Sequence, residues 1–398
     1  MGLLPSLART LLPELMQTQP EVGIAQAGHL ISAYALGVVI GAPVFAVIAT
    51  RVSRTWLITG LSLVLAVGAL ASAAMPTLGL TIGARFLAGL PHGAWFGVAS
   101  LIAGSLLGPG KQGKGIALAM SGLSIANLVG VPVFTAIGQV AGWRIVYVMV
   151  AAVFLVTFGL LRKSLPAQPA PRGGRITDEL RALKRRQLWA VLLVITVGFA
   201  GSFAIFSYIA DITTEVAGAD ASVVPLVLAS AGVGMLVGNV VGGLGVDRSV
   251  TATVIVGFAV YVLTVGILNV VAGTLVGLVI AFALMNAAQQ ILGPAMQAWL
   301  MRIAGRSEVL GASIHHAAFN FANALGAMAG GAVIAAGGGM RAPLALGLGL
   351  AAAGFVLVLA LQGSLHLRAT RRRLQLATAE LPVVPAFEAE ALASGREV

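Results

Sequence analysis

Arg85 and His92 stand seven residues apart inside one apolar run, and a second run carries His316, Asn320 and Asn323 at spacings of four and seven. Seven residues make about two helical turns, so each set falls on one helix face. A charged group inside an apolar run is costly to bury and is a functional candidate by default. Imidazole exchanges protons near neutral pH, which makes His92 a candidate proton carrier; a packed histidine bonding a neighbouring backbone fits the position equally. Arg85 could also snorkel and tie down carbonyls of a neighbouring helix as a purely structural group. His315 and His316 point about 100° apart on a helix, and it is His316 that shares its face with the two asparagines. Lining a cavity and bonding between helices would use these groups alike.

The remaining polar groups in apolar runs are uncharged: Asn127, Asn239, Asn286, Gln289, Gln290 and Gln297. Asp211 and Glu215 fall at the end of a run, and His29 near the end of another. Phe203, Phe206 and Tyr208 could meet an apolar ligand, although packing suits them as well. No run holds paired carboxylates, a metal-spaced set of His and Glu, or a Ser/His/acid constellation, so an embedded enzyme is the weaker reading. No metal and no cofactor is expected. With no Gly-rich phosphate loop of Walker type, any work done must draw on an ion gradient rather than on a nucleotide.

These groups need membrane helices to position them. Of 398 residues, 59% are apolar and 9% charged, against about 25% charged in soluble domains. Mean hydropathy is +0.99. Glycine contributes 51 residues and cysteine none; small residues let helices approach closely in lipid, and the lack of thiols excludes disulfides and thiolate metal sites. A spanning helix needs roughly 20 apolar residues. That ruler gives eleven complete candidates, at about 25–48, 55–75, 78–107, 115–138, 144–162, 188–210, 223–246, 251–272, 274–301, 309–336 and 342–363. Residues 1–8 form an apolar stub too short to span.

Charge sets the orientation. Twenty of the 24 Lys and Arg lie in alternate connections or in the tail, while Arg9, Arg144 and Arg341 lie on the other side. Positive loops stay cytoplasmic, so a multi-pass membrane protein with its C-terminus inside is expected. The pI near 11.2 therefore reflects topology, and no nucleic-acid partner is expected. A linker at 163–187, with three prolines and then a charged helical stretch, divides the chain into 1–162 and 188–365, followed by a tail at 366–398.

The two parts repeat. Gly37, Gly41, Arg51 and Gly60 return 197 residues on as Gly234, Gly238, Arg248 and Gly257, and Gly115, Ala126, Asn127 and Gly130 return 196 residues on as Gly311, Ala322, Asn323 and Gly326. A repeat in the same sense needs an even number of spans per part, six being the natural count. The predicted fold is all-α, two pseudo-symmetric six-helix bundles, with eleven complete spans and a stub of the first. Spans at 55–75, 144–162, 251–272 and 342–363 are nearly bare of polar groups, which places them toward lipid.

Over nearly its whole length the chain resembles the drug and sugar efflux branch of the major facilitator superfamily, which includes arabinose exporters and chloramphenicol-resistance permeases. Ser32-Ala-Tyr-Ala-Leu-Gly37 through Gly41-Ala-Pro43 resembles the family's second span, and Arg85-Phe-Leu-Ala-Gly89-Leu-Pro-His92-Gly93 its fourth. Ser121-Gly122 through Gly130-Val-Pro132 resembles the fifth span, with Val131 interposed in the antiporter motif formed by Gly122, Gly130 and Pro132. Gly142-Trp-Arg144 matches the loop that follows, and Ala318-Phe-Asn320 through Gly326 the eleventh span.

The resemblance implies a monomeric secondary transporter that exports a small organic solute or drug in exchange for protons. In that reading Arg85 and His92 couple protons, while Asn127, Gln289, His316, Asn320 and Asn323 line the substrate cavity. The glycines of the antiporter motif would thin the fifth span for packing at the pivot between the two parts. The family's inner-loop latch maps to Arg51, Arg54, Asp247 and Arg248; Thr50 stands where the first copy needs an acid. Family members also carry a complete first span before the Gly2-Leu-Leu-Pro5 element. The resemblance therefore implies that most of that span, with an acidic partner for Arg85, is missing from this sequence. A genuine eleven-span protein and a non-functional fragment are the alternatives. A cavity of His, Asn and Gln without a carboxylate suits neutral or amphipathic solutes better than strong cations.

Overall fold

The computed structural model describes residues 10–12, 17, 29–167 and 176–379. The stub at 1–8 and the end of the tail, 380–398, lie outside the described residues. Among the described residues every regular element is helical. The longer ones in chain order are α1 His29–Ala49, α2 Arg54–Ala74, α3 Leu78–Leu107, α4 Gln112–Gly138, α5 Trp143–Ser164, α6 Ile176–Leu183, α7 Arg186–Ser207, α8 Ala221–Arg248, α9 Val250–Val271, α10 Leu275–Ala304, α11 Glu308–Gly338 and α12 Ala342–Ala379. All but α6 contain a stretch long and apolar enough to cross a membrane. Compactness divides the chain into residues 1–356 and 357–398. Every contact described below lies in the first unit; the second is helical to Ala379.

Helices form because lipid offers no partner to a backbone N–H or C=O, so each run must satisfy its own. The ends are closed by side chains. Ser53, Thr77, Ser249 and Thr274 cap α2, α3, α9 and α10 by accepting an amide three residues on. Arg144 donates from Nε and Nη2 to the Ala73 and Met75 carbonyls at the end of α2, at 3.1 and 3.3 Å. That is the chemistry behind the Gly142-Trp143-Arg144 segment.

Two internal breaks matter for function. Pro91 interrupts α3 by withdrawing the N–H that the Leu87 carbonyl would accept; that carbonyl takes the Leu90 N–H instead, at 3.3 Å. Four residues past Leu128, Pro132 withdraws a donor from α4, and the backbone widens into a π turn over Ala126–Gly130.

The internal repeat is present in the packing itself. A Cβ on Gly37 would lie 2.2 Å from the Phe86 carbonyl oxygen, and one on Gly41 1.8 Å from that of Leu90. The counterparts Gly234 and Gly238 meet the carbonyl oxygens of Ala283 and Ala287 at 2.1 and 2.0 Å. Both members of each pair have moved by the same 197 residues, so α8 rests on α10 as α1 rests on α3. Gly115 packs on Gly104 and its counterpart Gly311 on Met301, the two members shifted by 196 and 197 residues.

Burial corrects one expectation. The run in α5 is 11% buried, as a lipid-facing span should be, but that in α2 is 56% buried. α2 packs on both α3 and α5, and Ser62 of α2 accepts the Trp95 indole N–H at 2.8 Å. A run bare of ionisable groups can still form an inner wall when its small residues and hydroxyls take close packing.

Candidate functional site

Arg85 and His92 do share a face of α3, and Tyr34 of α1 joins them. The Arg85 guanidinium carbon lies 4.1 Å from the centre of the Tyr34 ring and 5.2 Å from that of Tyr147. The Tyr34 hydroxyl is 2.8 Å from His92 Nδ1. Among the described residues Arg85 meets no carboxylate and is held by aromatic faces instead. His92 continues the line to α11, its ring centre 6.2 Å from that of His316 and 5.1 Å from that of Phe96. Phe96 covers His316 at 4.7 Å, and His315 lies 5.1 Å from His316. His316 is 4% exposed; it belongs to the α3–α11 contact more than to an open wall.

The other expected cavity residues scatter. Asn127 donates to the Leu123 carbonyl of its own helix at 2.9 Å, and Asn320 likewise to the His316 carbonyl at 2.8 Å; both are half-buried, as is Asn323. Gln289 is buried. Its neighbours on α10 carry the stronger signal: Gln290 Nε2 and both polar atoms of Gln297 are buried with no hydrogen-bond partner among the described residues. Asn239 of α8 donates to the Ala117 carbonyl of α4. Phe203, Phe206 and Tyr208 serve packing, through Phe319, Phe282 and the Ala327 carbonyl.

The antiporter-motif glycines do not thin α4 against α8 as expected. Nothing lies within 4 Å of a Cβ at Gly122, and one at Gly130 meets only Ala126 of its own helix. The close approach uses Gly113 against Gly243 and Gly232 against Leu128. Space for a backbone is needed where the helices cross, and these helices cross elsewhere.

At the end of the bundle that carries the basic loops, two polar contacts join helices at the positions of the expected latch. Asp247, at the end of α8, accepts the Gly113 amide at 2.6 Å. Gly113 lies in the first turn of α4, where unpaired amides and the helix dipole favour an anion. Arg54 of α2 pairs with Glu308 of α11 at 3.1 Å. Thr50, in the position equivalent to Asp247, bonds its own helix at the Val47 carbonyl. The acid missing from the first copy is therefore supplied from the opposite element, with Arg54 as its partner. Glu308 escaped the sequence reading; the available signal was an acid in the first turn of a helix on the basic side. Arg51 and Arg248 are exposed and take no part in either latch.

Alongside, Arg185 donates to the Ile303 carbonyl near the end of α10, and Ala182 of α6 packs with Ala46 and Leu310 under α1 and α11. A pocket of about 380 Å³ opens at this end, lined by Arg54, Ser100, Gln112 and Glu308 among others. None of the expected cavity residues lines it, so it belongs to the latch. Higher up, Gly93 and Gly97 of α3 press on Ser313 of α11.

Comparison with known proteins places this bundle of tightly crossed apolar helices. The chain belongs to the Major Facilitator Superfamily, which matches residues 2–250. It is a multi-pass membrane transporter and not an enzyme. It is 35% identical to the inner membrane transport protein YdhP of Escherichia coli O157:H7 over 338 residues, covering 85% of this chain and 84% of that one. The putative transporter AraJ of Escherichia coli K12 is 30% identical over 79% of this chain and 80% of its own. A chloramphenicol resistance protein of Streptomyces lividans is 31% identical over 62% of each. Among solved structures, the superfamily transporter FucP in the outward conformation superposes with a TM-score of 0.67 at 19% identity, covering 90% of this chain and 96% of that one.

Proposed function

We propose that this transporter exports a small organic solute or drug from the bacterial cytoplasm in exchange for protons. Residues 1–162 and 188–365 would rock about a midplane site, exposing it alternately to the two sides. The observation that carries the reading is the line of contacts from half-buried Arg85, Tyr34 and His92 to buried His316, which joins a cation, a hydroxyl and two imidazoles across α1, α3 and α11. Such a line offers protons a set of sites at the contact that must open and close. Asn127, Gln289, Asn320 and Asn323 would meet the solute. The basic loops would face the cytoplasm, so the latched end is the inner gate and the C-terminus is inside. The chain would act as a monomer in the inner membrane. Efflux is supported by the name of the chloramphenicol resistance protein, and by a relative described as a purine ribonucleoside efflux pump.

The test uses cells lacking their own exporters and a panel of labelled neutral and amphipathic probes that includes chloramphenicol and purine nucleosides. Expression of the chain should lower steady-state accumulation of at least one probe several-fold, and a protonophore should restore it. Arg85→Ala should abolish the effect with the protein still in the membrane. Methyl viologen, a dication, should not be exported. Unchanged accumulation across the panel, or efflux indifferent to the protonophore, would refute the proposal.

A further inference from the structure

We infer that His92 and His316 act as one protonation site whose loading parts α3 from α11 and so unseals the inner gate. The inference rests on the proton-exchange reading above and adds the device that would couple the proton to the movement.

The position of the pair is the first argument. Pro91 ends the first segment of α3, so His92 begins the second segment, directly on α11. His92 Nδ1 and the Tyr34 hydroxyl share a hydrogen bond at 2.8 Å, which ties one ring nitrogen to α1. Across the contact, His316 keeps Nε2 buried and without a partner among the described residues, and His315 beside it has neither nitrogen partnered. The titratable and charged groups that meet the pair are Tyr34 from α1, Arg85 of α3 with Tyr147 of α5 beyond it, and His315 of α11. No carboxylate among the described residues does.

Neutral imidazoles tolerate this contact, in which His316 is buried and His92 half-buried. An imidazolium on His316 would not: it would face a second ring 6.2 Å away, with a guanidinium on the shared tyrosine and no anion among the described residues. A buried unpaired charge is strongly unfavourable, and water must reach it if it is to persist. The nearest escape is separation of the two helices.

The contact is built to separate. Below the pair, a Cβ on Gly93 would lie 2.9 Å from the Ser313 carbonyl oxygen, and one on Gly97 3.0 Å from the Ser313 hydroxyl. Two glycines and a serine make a close surface of small groups, with the Phe96 ring over His316 as the large side chain that must slide when it parts. Beyond that seam Arg54 of α2 pairs with Glu308 of α11, across a pocket that Ser100, Leu101 and Gly104 of α3 also line. Arg85 approaches the pair from the end opposite the latches, so a proton taken from that side would open the other. Release at the opened side would return the neutral pair and reseal the gate, which is the order that exchange requires.

The chain has no cysteine, so Leu106→Cys and Arg306→Cys together place two spin labels at the latched ends of α3 and α11 and nowhere else. Pulsed electron paramagnetic resonance on the full chain in lipid nanodiscs, from pH about 8 to about 5, reads their separation without any solute. Acidification should enlarge the long-distance population at least about fivefold, on the microsecond-to-millisecond equilibrium of such motions. His92→Gln and His316→Gln should each keep the short distance and lose the acid response. Tyr34→Phe, which keeps the ring and deletes only the hydroxyl, should move the midpoint. Glu308→Gln should change the starting ratio and keep the response.

A parent distance that ignores pH would overturn the inference. So would either glutamine variant responding like the parent, or a Tyr34→Phe midpoint that stays put. Proton-driven solute transport in the same preparation separates this inference from the reading beneath it. Transport without label movement refutes the histidine device alone. Label movement without proton-driven transport leaves the device and refutes proton exchange.

Discussion

Valine at Gly41 or at Gly238 leaves little folded protein in the membrane. A Cβ at these positions would sit 1.8 Å from the Leu90 carbonyl oxygen and 2.0 Å from that of Ala287, and both obstacles are backbone. Overpacking against movable side chains typically costs about 1–3 kcal/mol; here α1 must leave α3, or α8 leave α10, so each loss should exceed about 3 kcal/mol. The two substitutions should be similarly severe because they break the same contact in the two copies of the repeat. Gly60→Val is the control, since nothing lies within 4 Å of its Cβ, and it should change stability by less than about 1 kcal/mol. Detergent-extracted yield and the thermal midpoint read all three. Parent-like yields for Gly41→Val and Gly238→Val would show that the repeat contact is not a stability determinant.

That contact also marks how far sequence reasoning reached. The eleven spans were legible, with ends within a few residues, because an apolar run of spanning length in a chain with few charges has one stable fate in lipid. The glycine repeat was legible as spacing, but its partners were not. Phe86, Leu90, Ala283 and Ala287 contribute only backbone atoms, and nothing in their side chains announces a contact. The shared face of Arg85 and His92 followed from helical period alone. Tyr34 and Phe96, which complete that site, did not, because each is an ordinary aromatic residue until a second helix is brought against it. The missing acid at Thr50 was visible; its replacement by Glu308, 258 positions away in the chain, is a property of the assembled end. The role given to Gly122 and Gly130 failed for the opposite reason: a motif supplies room for a crossing, and where helices cross is set by all their neighbours.

The second large effect lies at the latches, which should contribute unequally. Asp247 accepts an amide at a helix N-terminus at 2.6 Å, and its other oxygen is buried. A charge-assisted bond in that setting is worth about 1.5–3 kcal/mol. Arg54 and Glu308 are 24% and 44% exposed, where solvent screening reduces an ion pair to about 0–1 kcal/mol. Asp247→Ala should therefore shift the ratio of sealed to open inner gate by roughly tenfold or more, and Glu308→Gln by fivefold at most. Transport should fall with Asp247→Ala, since a gate that stays open cannot complete the exchange. Distances between labels on the ends of α4 and α8 measure the ratio directly. An effect of Glu308→Gln equal to or larger than that of Asp247→Ala would mean that the exposed pair, and not the helix-end bond, holds the gate.

The central claim is that solute and protons move in opposite directions through this chain. It is tested most directly with the purified protein in liposomes that hold a trapped pH dye, with an accumulated probe from the efflux panel as solute. Addition of the probe to one side should drive protons to that side, at a rate that saturates with probe concentration. Exchange should stop in the Arg85→Ala protein, and an imposed pH gradient should concentrate the probe until nigericin collapses it. Probe movement with no accompanying proton movement, unaffected by nigericin, would contradict the account.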